Sequence, residues 1–449
     1  MYYSKIITLI IISLSLNSCV NRKKITFHKD IKPIIHENCA SCHHNNGAGP
    51  FNLISYQDIS KRANMILEVV ENNYMPPWPA DPNFREFANQ KILTTQEKTL
   101  LKKWIRQGIK EGDKDTINYL QRKIDQTPDL TIKMDKNYIT KGNNQDEFLM
   151  MKFPFELERD TFIKYIEFVP GNNQIVHHIN AHLISYEDNK KTDIFNGKKY
   201  VDTEEKSDQE AFNLLEIHND DGSYPRLTPS VSNYLPGSEP FIYPEGIGGF
   251  NVKKKNIILV NDFHYAPTIE SLEDSSYFKI FFDSIAPVRP VQETQLGTFG
   301  ISDIIPPLII PPNEIKTFYT SAIITRDISL LTINPHMHLL GKSFIAYAVD
   351  LKNDTIPLIK IDNWNFRWQY FYHFIKPIKI QGGSEIIVKA TYDNTVDNPD
   401  NPFDPPKEIS ERRGFNGKGS MRTSDEMLQF IINYLPYEKG DENIKLILN

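Results

Sequence analysis

Cys39-Ala40-Ser41-Cys42-His43 sets two thiols three positions apart with an imidazole directly after the second. Thiols at that spacing can add to the two vinyl groups of a haem. The adjacent imidazole then lies beneath the iron, so the motif implies one covalent c-type haem with His43 as its proximal ligand. The same side chains, with His36 or His44, could instead hold zinc tetrahedrally. A disulfide between the two cysteines would imply a redox motif on a βαβ unit, which the flanking sequence lacks.

A haem iron held by His43 needs a sixth ligand, and two methionines compete for the role. Met65 lies in an amphipathic helical pattern, Arg62 to Val70, and is expected to pack in a core. Met75 precedes Pro76-Pro77-Trp78, where the prolines forbid helix and hold an extended loop that can present a sulfur to iron, so Met75 is the expected ligand.

Further along, histidines gather at His177-His178 with His182, at His264, and at His336-Met337-His338. Residues two apart on a strand share a face, so His336 and His338 can close on one metal directly. Adjacent His177 and His178 point to opposite faces of a regular strand. Their joint ligation requires a bulge or strand end, whereas pure alternation would pair His178 with His182.

The elements that must position these residues follow from pattern and composition. The length of 449 residues suits roughly three domains, and 40% hydrophobic composition is ordinary for soluble cores. Thr94-Thr95-Gln96-Glu97 reads as a capping box opening a helix through Trp104. From residue 129 on, short β-branched and aromatic runs such as Ile257–Val260 and Glu385–Ala390 alternate with turn residues, arguing for antiparallel sandwiches. A break is expected near the Pro-rich stretch Ile304 to Pro312, and residues 187–225 read as a polar insertion forming a long surface loop. The formal charge of −6 and pI near 6.1, without long single-sign runs, exclude a nucleic-acid partner.

The first residues read as an export signal: Lys5, an apolar run from Ile6 to Leu16, and Leu16-Asn17-Ser18-Cys19. The last four resemble a bacterial lipobox, which implies cleavage, lipidation of Cys19, and anchoring to a bacterial membrane facing the periplasm or cell surface. Only Cys39 and Cys42 remain outside the signal, so the exported chain must be stabilised by its cores.

Two resemblances extend these readings. Phe27–Ile34, Gly49–Leu53, Met75–Trp78 and the helix through Trp104 to Gly108 resemble a small cytochrome c domain that occurs beside copper-monooxygenase domains in bacterial proteins. The order His177-His178, His264-Tyr265, His336-Met337-His338-Leu339-Leu340-Gly341-Lys342 and Ser424-Asp425-Glu426-Met427 resembles the copper type II, ascorbate-dependent monooxygenases, the family of peptidylglycine α-hydroxylating and dopamine β-monooxygenases. That resemblance implies two jelly-roll domains and two coppers: His177, His178 and His264 for electron transfer, and His336, His338 and Met427 as the catalytic, oxygen-binding set. A thioether suits Cu(I), the state that meets oxygen. The sequence departs from the animal enzymes in having no cysteine in its β region, with Leu428 where Asp-Glu-Met is commonly followed by Cys. Tyr392-Asp393-Asn394 and Asn398–Pro402 read as turn chemistry.

The resulting layout is a multidomain chain: signal 1–19, an all-α cytochrome c domain 25–113, a linker 114–128, and all-β jelly rolls at 129–300 and 301–449. The expected function is hydroxylation of a C–H bond with O2, electrons passing from haem c to two coppers. The substrate is not readable, and the electrons would come from a donor protein or small reductant. The alternative is a non-enzymatic electron-transfer or copper-binding lipoprotein with a c-type haem.

Overall fold

The computed structural model describes residues 24–114, 126–204, 206–238, 240–411 and 423–446. Cys19, the rest of the export segment and most of the expected linker lie outside them. The chain divides into two compact units. One comprises the residues up to His43, Phe51–Pro76 and the stretch that begins at Ile92. The other comprises His44–Pro50, Pro77–Lys91 and the rest of the chain.

The first unit is helical. A π-helical stretch Phe27–Ile31 leads into α1 (Lys32–Asn38), which has Pro33 in its first turn, where the missing N–H costs no hydrogen bond. After α2 (Tyr56–Ser60) and α3 (Ala63–Glu71) comes α4 (Thr95–Arg106), opened by the expected capping box: Thr94 accepts from the Glu97 N–H and Glu97 closes back on Thr94. Phe27, Ile31, Ile35, Ile66, Leu101 and Trp104 form its buried core. The helical pattern around Met65 holds, but Met65 itself is 40% exposed rather than in the core. Its neighbours Ala63, Ile66 and Val70 take the buried stripe.

The second unit is built from antiparallel sheets in two pairs. In the first pair, a five-stranded sheet runs in the order Tyr200–Asp202, β1 (Glu147–Glu156), β4 (Lys255–Tyr265), β3 (Val176–Tyr186), Ser232–Tyr234. A four-stranded sheet containing β2 (Thr161–Val169) and β5 (Tyr277–Asp283) faces it across a core that includes Met151, Phe153, Phe168, Phe263 and Phe278. In the second pair, one sheet runs β6 (Gln292–Gly297), β13 (Gln429–Pro436), β8 (Ile328–His336), β11 (Tyr372–Ile380). The other runs β7 (Ile315–Ile323), β12 (Glu385–Asp393), β9 (Gly341–Val349), β10 (Thr355–Ile361). Phe318, Leu330, Phe344, Val388 and Phe430 meet between them.

The segment Pro77–Lys91 is woven onto this second pair. Phe87 and Ala80 enter its core, Arg85 donates to the Pro357 carbonyl, and the Ala88 N–H donates to His373.

Residues 187–225 are more than the expected surface loop. They contain the strand Tyr200–Asp202 and a helix Asp208–Leu215 opened by a Ser207/Glu210 capping box. Ile194, Val201, Ala211, Leu215 and Ile217 bury against Met150, Ile184, Ile257 and Leu259 on the outer face of the five-stranded sheet. Buried Lys152 reaches in from β1 and donates to the carbonyls of Ile194, Asn196 and Leu215. The apolar residues there are too sparse to show a period, yet sufficient to cover one sheet face.

Candidate metal centres

The three histidines of the first β pair converge. On neighbouring strands β3 and β4, His178 stands directly opposite His264, which places both rings on one face. The pairing then slips between Val176 and His178, leaving His177 as the extra residue of a bulge. The bulge turns His177 onto the same face as its neighbour, the re-aiming that adjacent ligands require. His182 is not part of the set, since its Nδ1 bonds the Thr228 carbonyl at 2.9 Å.

The three Nδ1 atoms form a triangle with edges of 3.1, 3.2 and 3.2 Å. Nε2 of His178 lies 2.9 Å from Asp262 and Nε2 of His264 lies 2.6 Å from Asp146. A carboxylate can only accept, so these two rings carry their protons on Nε2 and turn bare Nδ1 lone pairs toward each other. Facing lone pairs repel, and a cation between them removes the repulsion; a metal about 2.0–2.1 Å from each nitrogen fits such a triangle. Among the described residues this is the group of His, Cys, Asp or Glu side chains whose ligand atoms all lie within 4.8 Å of one another. Zinc binding by Cys39, Cys42 and their neighbouring histidines therefore finds no support.

Electrostatics match this arrangement. Burial pushes His264 down to about 4, against the pull of Asp146, and burial first, then the other two rings, holds His177 far below the ordinary imidazole range. Burial alone would raise Asp262, but His178 beside it brings the carboxyl down to about 2. His177 and His264 are thus neutral and Asp262 charged, the protonation states that metal ligation requires.

The second set is assembled differently. His336 ends β8 opposite Gln429 of β13, and His338 and Met427 lie two residues beyond that pair, past the ends of the two strands. Glu426 ties the two segments together, since its side chain accepts from the backbone N–H groups of both His338 and Met427. The rings of His336 and His338 lie 5.1 Å apart at 84°. Glu426 fixes the geometry: its carboxylate accepts from the N–H groups of His338 at 3.0 Å, Leu340 at 2.7 Å and Met427 at 3.3 Å. Burial raises that carboxyl to about 8, against the three N–H donors. His338 Nδ1 donates to the Asp425 carbonyl at 2.8 Å, which leaves Nε2 for a metal. The Tyr392 hydroxyl donates to the Met427 carbonyl at 2.6 Å, so this residue supports the site rather than a turn. Gly341 has a steric reason as well: a Cβ there would come within 2.5 Å of the Trp364 ring.

Phe366 stands between the two sets, its ring centroid 6.4 Å from His178, 6.1 Å from His264 and 5.9 Å from His338.

In the helical unit, Cys39 follows α1 directly and the His43 N–H donates to its carbonyl at 3.0 Å. Cys39 and Cys42 are not joined in a disulfide. His43 Nδ1 bonds the Phe51 carbonyl at 2.9 Å, which leaves Nε2 able to face a metal. Met75 sits half-buried beyond α3, its N–H donating to the Val69 carbonyl.

Sequence reading missed Asp146, Asp262 and Phe366 as parts of these sites, and it named Glu426 and Tyr392 without giving them a role there. Asp262 was within reach, because it lies two residues before His264 and so shares its face. Asp146 and Phe366 come from loops, where no period places a side chain.

Residues 302–400 match the C-terminal domain of the copper type II ascorbate-dependent monooxygenases. The match includes His336 and His338 and ends before Met427. No curated protein matches the chain.

Proposed function

We propose that this protein is a copper monooxygenase that draws its electrons through a haem c carried on the same chain. The observation that carries the proposal is the Nδ1 triangle of His177, His178 and His264, in a chain whose His336 and His338 lie within the copper-monooxygenase match. His177, His178 and His264 would hold one copper, and His336, His338 and Met427 the other. Cys39 and Cys42 would bond one haem between His43 and Met75. When bound, these groups supply one-electron redox chemistry and oxygen activation. The overall balance is R–H with O2, two electrons and two protons giving R–OH and water.

The chain's own residues make that chemistry selective. Asp146 and Asp262 strengthen two imidazole donors by accepting hydrogen bonds from their Nε2–H groups. Thioether and imidazole together make the second set softer, favouring Cu(I). Phe366 places an apolar ring between the sets. Cys19, as a lipidated N-terminus, would hold the protein at a membrane surface.

The test is oxygen uptake by haem- and copper-loaded protein given a reductant. Uptake that requires copper and stops in His338→Ala supports the proposal; protein that retains copper, accepts electrons at haem and consumes no oxygen overturns it.

A further inference from the structure

We propose that Trp78, Tyr370 and Trp368 form the route by which electrons reach the His177/His178/His264 site. The inference rests on the haem-to-copper reading and adds the residues that carry the current.

Trp78 follows Met75 by three positions in the chain, joined to it through two prolines. The Trp78 ring centroid lies 5.3 Å from that of Tyr370, the Tyr370 ring 6.3 Å from Trp368 with planes 11° apart, and the Trp368 ring 6.5 Å from His177. Each step is within the 4.5–7 Å at which aromatic rings pack in contact. A second link bypasses the first ring, since the Tyr370 hydroxyl donates to the Pro77 carbonyl at 2.9 Å. A file of rings thus runs from Trp78, three residues after Met75 in the chain, to the His177 imidazole.

Tunnelling falls off exponentially with distance and most steeply across gaps, so a file of packed rings outperforms the same distance through loose packing. No ring need lose an electron, because oxidising an indole or phenol demands a far more positive potential than a haem or copper centre provides. The rings act as a tunnelling medium, and one electron leaves Fe(II) as one arrives at Cu(II), giving Fe(III) and Cu(I).

These rings also pack in the core of the second sheet pair, and Phe87 supplies the comparison. It contacts the same cluster, 6.3 Å from Trp78 and 4.9 Å from Tyr372, but lies off the file. If packing alone mattered, removing Phe87 would act like removing a file member.

The experiment uses oxidised holoprotein, pulse-reduced at the haem without oxygen or substrate, with haem absorbance followed as copper takes the electron. Trp368→Leu and Tyr370→Leu should slow haem reoxidation by more than an order of magnitude, with unchanged haem spectrum, copper count and Cu(II) EPR signal. Trp368→Phe and Tyr370→Phe, which keep a ring, and Phe87→Leu should stay close to wild type. Unchanged rates in both leucine variants on the file, or equal slowing in Phe87→Leu, overturn the route while leaving the haem-to-copper reading intact. If wild-type haem never passes its electron to bound copper, that reading fails and the route with it.

Discussion

The two histidine sets of the β unit use the same side chain to opposite ends. Around His177, His178 and His264, support comes through the rings, with Asp262 and Asp146 behind two imidazoles and all three Nδ1 atoms aimed inward. Around His336, His338 and Met427, support comes through the backbone: Glu426 gathers three N–H groups, and the His338 ring rests on a neutral carbonyl. Charge therefore backs the first set, and in the proposed assignment the Met427 sulfur would complete the second. The first is suited to hold copper in either oxidation state, the second to favour Cu(I). The contrast teaches that sites made from similar residues are distinguished by what stands behind them.

The sharpest way to break this contrast is Met427→Ala. Two imidazoles remain and still hold Cu(II), but the preference for Cu(I) is lost, so oxygen uptake should collapse to background while the haem spectrum and circular dichroism persist. Wild-type uptake in this variant would remove the distinction between the sets.

Asp262→Asn should act on the first set alone. Loss of the carboxylate behind His178 is expected to weaken copper binding there by about 10–100-fold, measured by competition with a chelator of known affinity. The second set, in which the His338 ring donates to the Asp425 carbonyl, should keep its copper. Equal weakening at both sites would mean that Asp262 acts on the fold and not on His178.

For the second set the corresponding change is Glu426→Ala, which strands the buried N–H groups of His338, Leu340 and Met427. The expected loss is on the order of 3 kcal/mol of stability, seen in urea unfolding, with the first set's copper retained. Smallest is Trp364→Phe, which removes one hydrogen bond to the His338 carbonyl at 3.2 Å. About 0.5–1.5 kcal/mol should be lost, with little change in copper content.

Much of this arrangement was legible in residue order. The His-x-His spacing brought two rings close together, the adjacent pair required a bulge, and a bulge is present at His177. Capping residues marked the start of α4, and turn-punctuated β-branched runs marked the antiparallel sheets. What escaped reading depends on contacts made across long chain separations. Asp146 meets His264 and Glu426 meets His338 only after the sheets form, and no local period encodes either pairing. Met65 shows a different limit, since its helix was readable while the side of the helix that turns inward depended on what packs against it. The insertion was misread as a loop because its few apolar residues gain meaning only against the sheet face they cover.

X-ray absorption at the copper edge of the reduced, fully loaded protein tests the two-site arrangement most directly. Two coppers per chain are expected, with nitrogen scatterers on both, a sulfur scatterer for every second copper, and loss of that sulfur in Met427→Ala. Copper bound with nitrogen alone in the wild type, or a sulfur signal that survives Met427→Ala, would contradict the assignment of the second set.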